Sequence, residues 1–261
     1  MEIRFDGKTV LVTGAGAGIG AGVAKAFAAN GAYVVICDNR EDKIKAVAEE
    51  INAAGGKARW MTCDITDVEQ VEAFMNCEER VDIVVQVAGI YLAKTLLGAD
   101  QERIQRMVDV NVMGTSNVIR AALNKMKDNG EGKIVVYASQ AARNPGDFTA
   151  HYRMTKAATA SITMSAAEAA APYNINVNGI APGFVETDMF HTQMVSEVYG
   201  LEPYSKEASA KYAERFAPLV RLKRLQTVED MANATMFLCS DLAKNITGQL
   251  LNVDGGCTLQ I

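Results

Sequence analysis

Tyr152 and Lys156 stand four residues apart in the run Ala150-His151-Tyr152-Arg153-Met154-Thr155-Lys156. The Ala-rich stretch that follows predicts a helix, and on a helix positions i and i+4 share a face. A phenol and an ammonium would then point into one space. A free tyrosine titrates near ~10. A fixed positive charge within a few ångström favours the phenolate and lowers that value, so the pair could donate and accept a proton near neutral pH. The spacing alone is weak, because Tyr-x-x-x-Lys arises by chance in many helices. It gains meaning only if the chain supplies the rest of a site.

Near the N-terminus, Thr13-Gly14-Ala15-Gly16-Ala17-Gly18-Ile19-Gly20 follows an apolar run directly and precedes a helical pattern over 21–30. Glycines there let the chain turn tightly and let backbone N–H groups approach a phosphate. The following helix N-terminus adds donors and a favourable dipole for an anion. The spacing is Gly14, Gly18 and Gly20, with Ile19 where the third glycine of G-x-G-x-x-G would fall. Between a first strand and its helix this pattern predicts a dinucleotide site. The second apolar run ends in Asp38. A carboxylate there can accept bonds from ribose hydroxyls and repels a 2′-phosphate, which predicts NAD over NADP. Arg40 tempers that reading, since an arginine can receive the phosphate; its plainer reading is a solvated residue at a helix start. After the third run, Asp64 could contact an adenine amino group, while Asp67 more simply caps the next helix.

The elements that must position these residues alternate along the chain. Strand candidates fall at 9–13, 33–37, 58–63, 83–87, 134–138, 175–180 and 249–253, and each but the last is followed by a helical pattern. The runs are almost wholly apolar, as parallel strands covered on both faces require. The expectation is an α/β fold: a single-domain, Rossmann-type, doubly wound arrangement with a seven-stranded parallel sheet and helices on both faces. No linker or repeat divides residues 1–261, so a cofactor half over about 1–140 and a catalytic and substrate half over about 141–261 form one unit. The polar stretch 184–225, with Tyr199, Tyr204 and Tyr212, would lie at the carboxyl edge of the sheet as a flap over a small-molecule pocket.

Composition excludes several classes. A net charge of −5 argues against a broad nucleic-acid surface and against a polybasic membrane anchor. No apolar run is long enough to span a bilayer. The residues Met1 to Asp6 lack the apolar core of a signal peptide. Cys37, Cys63, Cys77, Cys239 and Cys257 are odd in number and contain no Cys-x-x-Cys, so they read as reduced thiols of a cytoplasmic protein. The two histidines, His151 and His191, cannot make a His-rich metal site, and no metal is expected.

Together the motifs resemble the short-chain dehydrogenase/reductase family over essentially the whole chain. The matching residues are Thr13-Gly14-x-x-x-Gly18-x-Gly20, Asp64, Ala88-Gly89, Asn111, Ser139, Tyr152-x-x-x-Lys156, Pro182-Gly183 and Val253-Asp254-Gly255-Gly256. The resemblance implies that Tyr152 is the general acid/base, and that Lys156 holds the nicotinamide ribose and depresses the Tyr152 pKa. It implies that Ser139 orients the substrate oxygen and that Asn111 holds a water linking Lys156 to solvent. Val185 and Thr187, after Pro182-Gly183, would anchor the carboxamide. Ile19, Ile65, Ala88 and Gly89 would line the cofactor beside the glycines, Asp38 and Asp64. It also implies a homotetramer, assembled through the last strand and the helix over 227–240.

Two departures stand out. The family has Asn-Asn-Ala-Gly after its fourth strand, where this chain has Gln86-Val87-Ala88-Gly89. Val87 cannot brace the sheet centre, so neighbouring backbone groups must find other partners. The helix over 68–79 is about a turn short. For the substrate, Ser139, Gln140, Tyr152 and Phe184 are the expected contacts. Gln140, Arg143, Asn144 and His151 would offer polar walls, and Leu92, Phe148, Phe184, Met189 and Phe190 apolar ones. That mixture suits a small-molecule alcohol or ketone: a polyol, sugar alcohol or small hydroxyketone. The alternatives are a 3-oxoacyl or hydroxysteroid-type reductase, and a non-catalytic NAD(H)-binding sensor or assembly protein.

Overall fold

Neighbouring residues of the inner strands are equally apolar, and the computed structural model shows them divided between two cores. The structure describes residues 2–191 and 200–259. Strands β1 (Thr9–Thr13), β2 (Tyr33–Asp38), β3 (Lys57–Thr62), β4 (Ile83–Gln86), β5 (Gly132–Tyr137), β6 (Ile175–Pro182) and β7 (Leu250–Val253) form one parallel sheet. Its order is β3-β2-β1-β4-β5-β6-β7. Because side chains alternate along a strand, Val10, Val12, Val34, Ile36, Ile83 and Val85 enter one core. Leu11, Val35, Val84, Ile134 and Val136 enter the other.

Helices α1 (Gly18–Ala29), α2 (Glu41–Ala53) and α9 (Val228–Cys239) supply the first core. The other core is closed by α3 (Val68–Met75), α5 (Thr115–Met126) and α6 (Ala150–Ala170). Helix α4 (Gln101–Val108) leads into α5 through a π-helical turn, Asp109–Gly114. Beyond β6, the single turn α7 (Asp188–Phe190) and helix α8 (Lys206–Phe216) form a third small cluster, in which Ala93, Phe190, Ala208 and Tyr212 are buried. Tyr199, expected in this flap, lies outside the described residues. No helix among the described residues is long and apolar enough to cross a membrane.

Several bounds shift for local reasons. β4 stops at Gln86, because Val87 N–H turns aside to the Thr13 hydroxyl. α3 starts where Asp67 accepts from the N–H groups of Glu69 and Gln70, and ends at Met75 instead of continuing to residue 79. β3 is partly exposed, as an edge strand, and so are β7 residues. The chain reverses direction across the sheet between β1 and β4, whose last residues, Thr13 and Gln86, lie in register. Such a switch point opens a crevice outside the carboxyl ends of the strands.

Candidate active site

That crevice is a cleft of about 940 Å³. It is lined at one end by Gly14, Gly18, Ile19, Gly20, Asp38, Asp64, Ile65, Ala88 and Gly89. At the other end are Ser139, Gln140, Tyr152, Lys156, Pro182, Gly183, Phe184, Val185 and Thr187. Of the expected catalytic and cofactor-binding residues, only Asn111 is absent from its wall.

At the glycine end the loop is held by close approach. Gly14 has φ +64, and a Cβ there would lie 2.6 Å from the Ala88 Cα. A Cβ on Gly20 would lie 2.2 Å from the Gly14 carbonyl oxygen. α1 begins after Ala17 with no side-chain cap and no acidic residue in its first turn. Its first N–H groups therefore have no side-chain acceptor, and a diphosphate would meet donors and a positive dipole end. The chain fits a dinucleotide here. Thr187 sits at the start of α7 but makes no capping bond; its Cβ leans to 3.3 Å from where a Gly18 Cβ would be.

Asp38 is buried, and Arg40 is more than a solvated helix-start residue. Its Nε donates to Asp38 Oδ1 at 2.9 Å and its Nη2 to Oδ2 at 3.1 Å. Gly16 N–H donates to Oδ2 and Arg40 N–H to Oδ1. Asp64 is likewise engaged: Oδ1 accepts from Thr66 N–H at 2.9 Å and Thr66 Oγ1 at 2.7 Å, while Arg106 reaches Oδ2 at 3.3 Å.

The missing Asn after β4 is answered one residue earlier. Gln86 is 1% exposed. Its Oε1 accepts from the Thr13 hydroxyl, and its Nε2 donates to Ala88 C=O at 3.0 Å and Thr115 Oγ1 at 3.1 Å. Thr13 Oγ1 in turn accepts from Val87 N–H and Ala88 N–H at 3.2 and 3.3 Å. The expected orphaned groups thus have partners, and β1, β4 and α5 are tied together under the cleft.

At the other end, Tyr152 and Lys156 lie on α6 as the spacing requires. Lys156 Nζ is 5.8 Å from the Tyr152 ring centroid and donates to Tyr137 C=O at 2.8 Å. The expected lowering of the phenol is not what the unliganded cleft produces. Burial pushes Tyr152 up to about 12, and a hydrogen bond with Ser139 opposes that rise. Burial lowers Lys156 to about 8. Desolvation is the leading cause of both shifts. Ser139 Oγ also accepts from Ala141 N–H, ending β5 in a tight turn. Asn111 sits in the π-turn, a local widening that often marks functional sites. Its Oδ1 accepts from Ile90 N–H at 2.7 Å, and its Nδ2 donates to Ile90 C=O and Thr155 Oγ1. It clamps the backbone beside Gly89.

Aromatic rings close the substrate end. Tyr91 packs edge-on to Tyr152 at 4.8 Å, and Phe184 stacks on Phe216 at 4.5 Å. Four residues expected on the wall are elsewhere. Arg143 donates to Asn252 Oδ1 and Leu250 C=O, pinning β7. Asn144 bonds Gln140 Oε1 and Thr258 Oγ1. Leu92 is buried beneath the cleft. His151 points its Nδ1 into a buried place without a hydrogen-bond partner, off the cleft wall.

Comparison with known proteins bears on the whole chain. A family model described as enoyl-(acyl carrier protein) reductase matches residues 14–258. The chain belongs to the short-chain dehydrogenase/reductase family. It is 36% identical to the 3-oxoacyl-[acyl-carrier-protein] reductase FabG of Aquifex aeolicus, over 98% of this chain and 99% of that one. It is 35% identical to galactitol 2-dehydrogenase of Agrobacterium fabrum, over 97% and 98%. Among solved structures, a 7α-hydroxysteroid dehydrogenase complexed with NADH and 7-oxo glycochenodeoxycholic acid superposes with a TM-score of 0.86. It is 33% identical, covering 98% of this chain and 96% of that one. The protein is thus an oxidoreductase of this family.

In this short-chain dehydrogenase/reductase, the roles of four residues were not legible in the sequence, although Gln86 and Tyr212 were themselves singled out. Gln86 was visible as a departure, but its amide reaching forward to Ala88 and Thr115 was not. Tyr91 follows Gly89-Ile90 and gave no signal of its own. Tyr212 and Arg215, three apart on α8, share a helix face by spacing; only the fold turns that face toward the cleft.

Proposed function

We propose that the protein is an NAD-dependent dehydrogenase that interconverts a secondary alcohol and a ketone, with a polyol, sugar alcohol or small hydroxyketone as substrate. The carrying observation is the convergence of Ser139, Tyr152 and Lys156 on one cleft whose other end is the uncapped start of α1. When bound, the nicotinamide supplies the hydride acceptor or donor. Gly14, Gly18 and Gly20 hold the diphosphate, and Asp38 receives the adenosine ribose. Lys156 meets the nicotinamide ribose, while Val185 and Thr187 hold the carboxamide.

In ketone reduction, the Ser139 hydroxyl hydrogen-bonds the carbonyl oxygen and Tyr152 gives it a proton. In alcohol oxidation, the same phenol takes that proton back. With its pKa raised to about 12, Tyr152 is a proton donor through the neutral range. Lys156, lowered to about 8, can exchange a proton close to neutral pH. The likeness to a galactitol 2-dehydrogenase supports the polyol class. A second reading, a 3-oxoacyl or hydroxysteroid-type reductase, draws on the FabG likeness and the aromatic wall. The net charge of −5 weighs against docking an acidic carrier.

The test is turnover of polyols, diols, hydroxysteroids and acyl thioesters, followed by NADH absorbance. Tyr152→Phe should lower kcat by about 10²–10⁴ while NAD binding stays near wild type. Full activity in that variant would remove the proton-transfer role.

A further inference from the structure

Two guanidinium groups at the substrate end of the cleft make no ion pair among the described residues. Arg153 and Arg215 both line it. Arg153 donates only to neutral oxygens, Asn144 C=O and Thr149 Oγ1. Arg215 lies 5.8 Å over the Phe216 ring and has no ion pair among the described residues. Asp147 and Asp188 also line the cleft: Asp147 Oδ1 accepts from Leu96 N–H, and Asp188 acts on Arg40 and Tyr204. In a chain of net charge −5, neither guanidinium is bound to a carboxylate among the described residues.

A second observation lies one turn before Arg215 on the same face of α8. Tyr212 is 3% exposed, and its hydroxyl has no hydrogen-bond partner among the described residues. Phenols on residues this buried usually find a partner, and Tyr212 lines the cleft. The Tyr212 ring packs on Phe190 at 3.7 Å and Phe216 at 4.9 Å. Its phenol is close enough to Tyr91 for that hydroxyl to raise its pKa, and Tyr91 packs on Tyr152. The unpartnered hydroxyl therefore sits within reach of the reacting end, beside an arginine.

We propose that, within the polyol and hydroxyketone class, the preferred substrate also carries a carboxylate, making it a hydroxy acid, with that carboxylate held by Arg215 and the Tyr212 hydroxyl. A guanidinium fork and an O–H donor match a planar carboxylate. The apolar rings around them suit the carbon chain between carboxylate and carbinol. Glu186, the nearest carboxylate to Tyr212 by its electrostatic effect, is bound to His191 Nε2 at 3.0 Å and Ser209 Oγ at 2.5 Å. Glu186 itself is not part of the cleft wall.

The inference rests on the dehydrogenase reading, and the test separates the two. Acid and neutral partners of equal length are compared: an aldonate against its alditol, and 3-hydroxybutyrate against 2-butanol. The acids should show at least tenfold higher kcat/KM. Arg215→Gln should reduce that preference at least tenfold, Arg215→Lys should restore part of it, and Tyr212→Phe should reduce it several-fold. The acids should also raise the melting midpoint of the NADH-loaded protein, and Arg215→Gln should abolish that shift. Neutral alcohols used as well as acids, or a preference unmoved in Arg215→Gln, overturns the hydroxy-acid inference and leaves the dehydrogenase reading intact. Absence of a melting shift with every acid overturns it regardless of turnover. Tyr152→Phe at full activity overturns the dehydrogenase reading itself.

Discussion

Asp38 has both carboxylate oxygens engaged in the unliganded cleft. Gly16 N–H, Arg40 N–H and the Arg40 fork make four bonds to it, and a carboxylate offers about four acceptor sites. Ribose hydroxyls must therefore compete with Arg40. The same guanidinium offsets the repulsion that Asp38 would exert on a 2′-phosphate. Arg40→Leu should raise the ratio of NAD to NADP affinity by about tenfold, the worth of a charge-assisted bond at a half-exposed site. Asp38→Ala should weaken NAD far more than NADP. Cofactor titration by fluorescence reads both, and a wild type that already prefers NADP contradicts the role given to Asp38. Lys156 yields a second prediction of known sign. Its folded pKa of about 8 is below the 10.5 of the free group, so between those values the unfolded chain holds more protons, and this residue's contribution to stability rises with pH. Lys156→Met, which removes a buried cation, should exceed wild-type stability at pH 7, with the gap closing toward pH 10 in urea melts of the cofactor-free protein.

At the scale of elements, the site depends on how β1, β4 and α5 meet. Gln86 and Thr13 form that junction, with Thr115 and the Ala88 backbone as their partners. Ala88 is also the residue against which Gly14 packs, so the junction fixes the distance between the glycine loop and the strand opposite. Gln86→Leu leaves Thr115 and Ala88 C=O without this donor, at a cost of about 1–3 kcal/mol, and should raise the KM for NAD more than it lowers kcat. Adding Val87→Asn to that variant restores a bracing amide one residue on and should recover most of the cofactor affinity. An unchanged KM in Gln86→Leu would show the junction to be purely structural. This junction also marks where sequence reading stops. The apolar runs and the glycine spacing are local signals, and all seven strands and the presence of α1 follow from them, although α1 begins at Gly18, within the glycine loop, and not at residue 21. Gln86 finding Thr13 depends on a register between strands 73 residues apart, which no local pattern encodes. The same limit explains Arg143 and His151. Their types suit a binding wall, but β7 claims the first, and the turn of α6 carries the second away from the cleft.

At the scale of the whole molecule, the two edges of the sheet are unlike. β3 ends one side with Lys57 and Arg59 in its sequence, charges that discourage strand addition. β7 ends the other side as Leu250-Leu251-Asn252-Val253, with no charge and with Leu251 38% exposed. Around it, Phe237 of α9 and Leu242 are exposed at 37% and 50%. An uncharged edge flanked by apolar side chains is a surface that association would cover. On this edge and the family resemblance we propose a homotetramer that uses the β7 and α9 side as one of its interfaces. Sedimentation should give about four times the 28.0 kDa chain mass. Leu251→Lys places a charge on the edge without touching either core, so it should shift the distribution to smaller species and lower the melting temperature in a concentration-dependent way. Arg143 donates to Asn252 and Leu250 of this same strand from the loop after Ser139. Loss of assembly should therefore also weaken substrate binding, seen as a raised KM at protein concentrations where the variant is dissociated. A wild type that sediments as a monomer, or a Leu251→Lys variant with unchanged mass, would place the interface elsewhere and leave β7 as an ordinary exposed edge.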